Sequence, residues 1–167
     1  STTFDQEFLA RLEKENSGRV GSGSPIRIVS DVPTKFDPGS LQETSRPWDM
    51  ALNGVGFFNI MVQDEQTGEE RQYLTRNGNF SVDEDNYLIL RGHGRVLGEG
   101  GPIELENSDF TVDVNGEIYN ERGRVVDRLL ITMPPEDAEV ELAANGMYYT
   151  QDMEANEIVP EEETQVI

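Results

Sequence analysis

The chain has 167 residues, 33 of them acidic and 13 basic, for a formal net charge of −20. That balance excludes nucleic acid as a partner, since phosphate needs clustered Lys and Arg, and argues against docking on anionic membranes. The chain has no cysteine, which rules out disulfides and thiolate or zinc–thiolate sites, and it has no apolar run long enough to span a membrane as a helix.

Residues 1–16 read as a helix. Phe4, Phe8, Leu9 and Leu12 form an apolar stripe, Thr3 is a candidate N-cap, Asp5 and Glu7 lie in the first turn, and Ser17-Gly18 stops it. Residues 17–25 are a Gly/Ser-rich flexible linker by composition. Residues 26–154 read as an all-β domain of short antiparallel hairpins, sandwich- or barrel-like, because short alternating runs recur with Gly, Asn and Asp turns between them. Residues 155–167 read as an acidic tail, mobile or extended. No cleaved signal peptide is visible, and the opening Ser-Thr-Thr reads as the start of an excised piece.

The densest stretch runs from Ser45 to Ile60. It holds the only Trp, two glycines, and the apolar run Phe57-Phe58-Asn59-Ile60. Asn53-Gly54 is a short turn signal, so the expectation is strand, tight turn, strand, with Gly56 allowing close backbone approach. Asn77-Gly78 repeats that signal after Arg71 to Leu74. Val126 to Met133 is expected as the best continuous strand. A weak internal repeat links Phe80-Ser81-Val82-Asp83 to Phe110-Thr111-Val112-Asp113. Each copy is followed by an Asn-containing turn, an apolar strand and a Gly-Arg-Val.

Residues that could carry chemistry are sparse. His93 is the single histidine and reads as a turn residue between Gly92 and Gly94. Asp83-Glu84-Asp85-Asn86 lacks the bend glycine and bidentate Glu of a calcium loop and reads as a solvated turn. Gly98-Glu99-Gly100-Gly101 has no Lys and precedes a strand, so it is no phosphate loop. Trp48 reads as a core anchor rather than a glycan platform. No acid–base or nucleophile pair assembles, so an enzyme is the least favoured class, and no catalytic, cofactor-binding or metal residues are assigned.

Three ordered motifs resemble the bacterial flagellar basal-body rod and hook proteins. The first runs from Gly39 to Phe58, through Pro47-Trp48-Asp49 and Asn53-Gly54-Val55-Gly56-Phe57-Phe58, with Trp48 where the family usually has Leu. The second is Tyr73-Leu74-Thr75-Arg76-Asn77-Gly78-Asn79-Phe80, with Leu74 as an extra residue, and the third is Asp113-Val114-Asn115-Gly116-Glu117-Ile118. Ser45-Arg46-Pro47 and Val96 to Ile103 resemble the proximal-rod member most. The resemblance implies a structural motif of Pro47, Trp48, Asp49, Asn53, Gly54, Gly56, Phe57, Phe58, Thr75, Arg76, Asn77 and Gly78. It implies a rod subunit without cofactor or catalysis, exported by the flagellar type III apparatus without a cleaved signal peptide. The subunit would sit in the periplasmic rod that passes torque from motor to hook. Its partners would be other rod and hook subunits and further copies of itself, with this piece alone a monomer. The alternatives are a distal-rod or hook-like axial protein, or a secreted calcium- or glycan-binding β module.

Overall fold

The computed structural model describes residues 48–167, so the expected helix, the linker and Pro47 lie outside the described residues. Sixteen short strands follow one another. They are β1 Trp48–Asp49, β2 Leu52–Gly54, β3 Phe57–Gln63, β4 Glu70–Thr75, β5 Asn79–Val82, β6 Leu88–Leu90, β7 Gly94–Gly98 and β8 Gly101–Pro102. The second half adds β9 Thr111–Val112, β10 Glu117–Tyr119, β11 Val125–Arg128, β12 Ile131–Met133, β13 Glu141–Leu142, β14 Tyr148–Tyr149, β15 Glu157–Ile158 and β16 Thr164–Val166. Every strand pairing among the described residues is antiparallel. The only helical turns among them are 3₁₀, at Met153–Ala155 and Glu161–Glu163.

β3 is the spine of the main sheet. One edge pairs with β4 from Phe58↔Thr75 to Gln63↔Glu70. The other edge is shared: β12 takes its start (Phe57↔Thr132, Phe58↔Ile131) and β7 its end (Ile60↔Val96, Met61↔Arg95). The start of β3 is buried on both faces, which explains its unbroken apolar run where a half-exposed strand would alternate. Phe58 and Ile60 enter the large core with Phe80, Leu88, Leu90, Val96, Ile118 and Leu129. Phe57 faces the opposite way, into a smaller cluster with Leu74, Val140 and Tyr148.

The internal repeat corresponds to two three-stranded meanders. β5–β6–β7 lies within the main sheet, and β9–β10–β11 forms a separate sheet. Phe80 and Phe110 both enter the large core. Asp83 and Asp113 build the same turn: each carboxylate accepts backbone N–H bonds two and four residues on, from Asp85 and Tyr87 in one copy and from Asn115 and Glu117 in the other. Asn86 and Gly116 occupy the matching left-handed position.

Three local expectations are corrected. Asn53-Gly54 is not a hairpin turn. Both residues lie in β2, which pairs with β16 at the far end of the chain (Gly54↔Thr164, Asn53↔Gln165, Leu52↔Val166). Gly78 is not in a left-handed turn conformation either; the Asn77 side chain accepts the N–H of Asn79 instead. The run Val126 to Met133 is two strands. Leu129 and Leu130 carry the chain from the small sheet to the main one, bridging Gly98 and bonding the carbonyl of Leu97. A single straight strand could not belong to both sheets. The acidic segment 155–167 is extended and attached at both ends: β15 pairs with β12, β16 with β2, and Val159 and Val166 are buried.

Candidate functional site

The first two sequence motifs meet in space, and Arg76 joins them. Arg76 follows β4 directly and is almost completely buried, at 2% exposure. Its Nη1 donates to the carbonyls of Gly54 (2.9 Å) and Gly56 (2.6 Å), and its Nη2 donates to the carbonyl of Leu52 (3.0 Å). A planar guanidinium with several fixed donors suits such a fork of carbonyls, where a lysine ammonium would not. The charge is therefore held by backbone dipoles, and it fixes the path of the chain between β2 and β3.

The two glycines set that path. Gly54 has φ +138° and Gly56 has φ +111°, both in the region that side chains avoid. A Cβ on Gly54 would overlap the backbone of Glu163 and lie 2.6 Å from the Thr164 Cα. A Cβ on Gly56 would lie 2.8 Å from the Ile131 side chain and 3.0 Å from that of Val159. Gly54 thus admits β16, and Gly56 admits β12 and the segment after β15.

Around this clasp the remaining motif residues divide. Gly78 packs its backbone on Met50, whose N–H donates to the Gly78 carbonyl (2.9 Å), and a Cβ there would overlap the Met50 carbonyl. Thr75 is buried opposite Phe58, and its hydroxyl accepts the Asn77 N–H at 3.0 Å. Trp48 pairs with Phe80 across β1 and β5 and packs against Phe110, with ring centroids 4.3 Å apart and the planes tilted by 41°. It therefore ties the first meander to the second. Asp49 and Asn53 are exposed and take no part in the clasp.

A second buried polar centre is Asn59, which sits where β12 hands the edge of β3 to β7. Its Nδ2 donates to the Leu130 carbonyl (3.1 Å) and the Thr132 hydroxyl (3.0 Å), while its Oδ1 accepts from Gln72 Nε2 (2.8 Å). The side chain supplies the partners that a change of neighbouring strand takes away. Asn59 was legible only as a polar break in an apolar run, and Gln72 as the residue two before Leu74 on β4.

Neither centre is arranged for reaction. Arg76 cannot give up its proton, and among the described residues no group of three or more His, Cys, Asp or Glu is placed to hold a metal. At Asp113, burial pushes the carboxyl up. The Glu117 amide, the Tyr119 hydroxyl, the Asn115 amide and the charge of Arg128 outweigh it and hold the group below its ordinary value. The Tyr119 phenol is pushed up to about 12, first by its hydrogen bond to Asp113. Both shifts reflect the hydrogen bonds that build this turn.

No family model matches the chain. It is similar to the flagellar basal-body rod protein FlgF of Salmonella typhimurium, with 42% identity over 137 residues, covering 71% of this chain and 52% of the relative. The FlgF of Escherichia coli matches at 38% over 137 residues, with the same coverage. The flagellar hook protein FlgE of Brucella melitensis matches at 25% over 139 residues, covering 80% of this chain and 33% of the relative. The chain spans about half the length of the curated rod-protein relatives it matches.

Proposed function

We propose, from the premise that this chain belongs to the flagellar rod and hook protein family, that residues 48–167 are the outward-facing β domain of a basal-body rod subunit and that their role is mechanical. The observation that carries the reading is the clasp: Arg76, Gly54 and Gly56, all within the motifs that signal the family, are spent on a buried joint between strands far apart in sequence. A joint of this kind makes the domain one stiff body, which is what a subunit needs if neighbours are to hold it at a fixed angle. In the whole protein, further copies and other rod or hook subunits are the partners. The domain works in the periplasmic rod, alone it is a monomer, and it performs no catalysis.

The hook-like reading is second, since identity to the hook protein is lower (25%) than to the rod proteins (42% and 38%). A calcium- or glycan-binding module is disfavoured by the use already made of its residues. The Asp83 carboxylate is engaged by the N–H groups of its own turn, and the Trp48 ring is packed on Phe110.

The test is deletion of the parent gene, followed by electron microscopy of isolated basal bodies and a swimming assay. The expected result is an incomplete rod and loss of motility, restored by the native gene. Motile cells with intact basal bodies would overturn the reading. A hook-like subunit would instead be found, by a tag on the protein, distal to the rod.

A further inference from the structure

We propose that the β domain requires salt, its folded state being limited by repulsion among its own carboxylates and held together by counterion screening. The observation is where the charge lies. Of the 33 acids, 26 fall in residues 48–167, against 7 of the 13 bases, none of them lysine. Residues 48–167 therefore hold −19 of the total −20, while residues 1–47 are close to neutral.

The seven arginines do little to offset this. Arg76 is buried against carbonyls. The guanidinium of Arg91 is buried and makes no hydrogen bond among the described residues. Arg95 lies over the Tyr87 ring, 3.7 Å from its centroid. The ion pairs among the described residues are Arg71 with Glu69 (3.9 Å) and Arg128 with Glu99 (3.9 Å) and Glu161 (3.4 Å). Arg122 and Arg124 remain on one exposed turn. Most carboxylates stand on strand ends and turns and form no ion pair among the described residues, and they are spread over the molecule: Asp64-Glu65, Glu84-Asp85, Glu104 and Glu106, Glu136-Asp137, and Glu162-Glu163.

Geometry sets the salt range. A domain of about 120 residues has a radius of gyration of roughly 14 Å, equivalent to a sphere of about 17 Å radius. Spread over that sphere, the carboxylates lie about 12 Å apart, whereas the Debye length is about 30 Å in 0.01 M salt and about 3 Å in 1 M. Neighbouring carboxylates repel across the whole surface at the low end and hardly at all at the high end. Unfolding spreads the same charges apart, so low salt favours the unfolded chain.

The experiment is thermal unfolding of the full 167-residue chain by circular dichroism, from 0.01 to 0.5 M NaCl at pH 7. Beside it runs a variant carrying Glu65→Lys, Glu84→Lys, Glu106→Lys, Glu136→Lys and Glu162→Lys. All five positions are exposed, and the changes take residues 48–167 from −19 to −9. The expected Tm of the native chain rises by about 5 °C or more across this range, and the variant rises by less than half as much from a higher low-salt Tm. A native Tm indifferent to salt would overturn the proposal. So would equal slopes in the two proteins, which would assign the effect to surface hydration instead.

Discussion

Replacing Arg76 by Met keeps much of the side chain's length and apolar stem but removes its donors. Three carbonyls, those of Leu52, Gly54 and Gly56, then lose a charged donor held at 2.6–3.0 Å. Hydrogen bonds to charged groups contribute about 1.5–3 kcal/mol each, which would sum to roughly 4–9 kcal/mol if nothing opposed them. Burying the guanidinium costs several kcal/mol, however, and the variant no longer bears that cost. The expected net loss is therefore about 3–4 kcal/mol, a large share of the 5–15 kcal/mol that a domain of this kind has. Urea unfolding followed by circular dichroism reads it as a lower midpoint at unchanged slope. Arg76→Lys separates geometry from charge. One ammonium cannot serve three carbonyls as a fork does, so this variant should recover no more than about half the loss. A Met variant within about 0.5 kcal/mol of the native chain would refute the clasp as a source of stability, because that is the range of ordinary surface substitutions.

Two further predictions follow from the same geometry. Gly54→Val and Gly56→Val should each cost more than about 3 kcal/mol, since both combine an avoided φ with a clash. Gly123→Ala, at φ +79° with open space around it, should cost only about 1–2 kcal/mol, so that midpoints equal across the three would show that φ alone matters. Asp113 adds a pH dependence. Its folded pKa lies below the ordinary 3.8, so its contribution is complete above that pH and is lost as the pH falls through and below it. Asp113→Asn should therefore flatten the acid limb of the stability curve and bring the Tyr119 titration down from about 12 towards 10, read by ultraviolet absorbance. An unchanged acid limb would remove Asp113 from that role.

The β class was plain in the sequence because turns are local chemistry. Asp83 and Asp113 announce their turns with residues two to four positions away, and the repeat between them could be read letter by letter. What stayed hidden was long-range. Thr-Arg-Asn-Gly looks like an exposed turn, and nothing near Arg76 reveals that its acceptors lie 20 to 24 residues upstream. Asn53-Gly54 has strong turn propensity, but pairing with a strand more than 100 residues away overrides it. In the last segment, Glu161 to Glu163 drew attention to charge, while the alternation of Thr164, Gln165 and Val166 already carried the period of a half-buried strand. For the candidate site, the motif positions were legible and their division of labour was not. Asp49 and Asn53 turned out to face solvent, whereas Asn59 and Gln72 hold the junction of three strands.

The pairing of β2 with β16 continues one step further. Ala51 and Ile167 exchange two backbone hydrogen bonds, each 2.9 Å long. Residues 51–167 are thus a closed excursion: the chain leaves from one point and returns to the same point. Such an excursion can grow, shrink or be exchanged for another without moving its points of attachment. It could also be rejoined end to end and reopened at an exposed tip such as 64–68. Changes of length or sequence within residues 51–167 are therefore free to accumulate while the Ala51–Ile167 pair stays where it is.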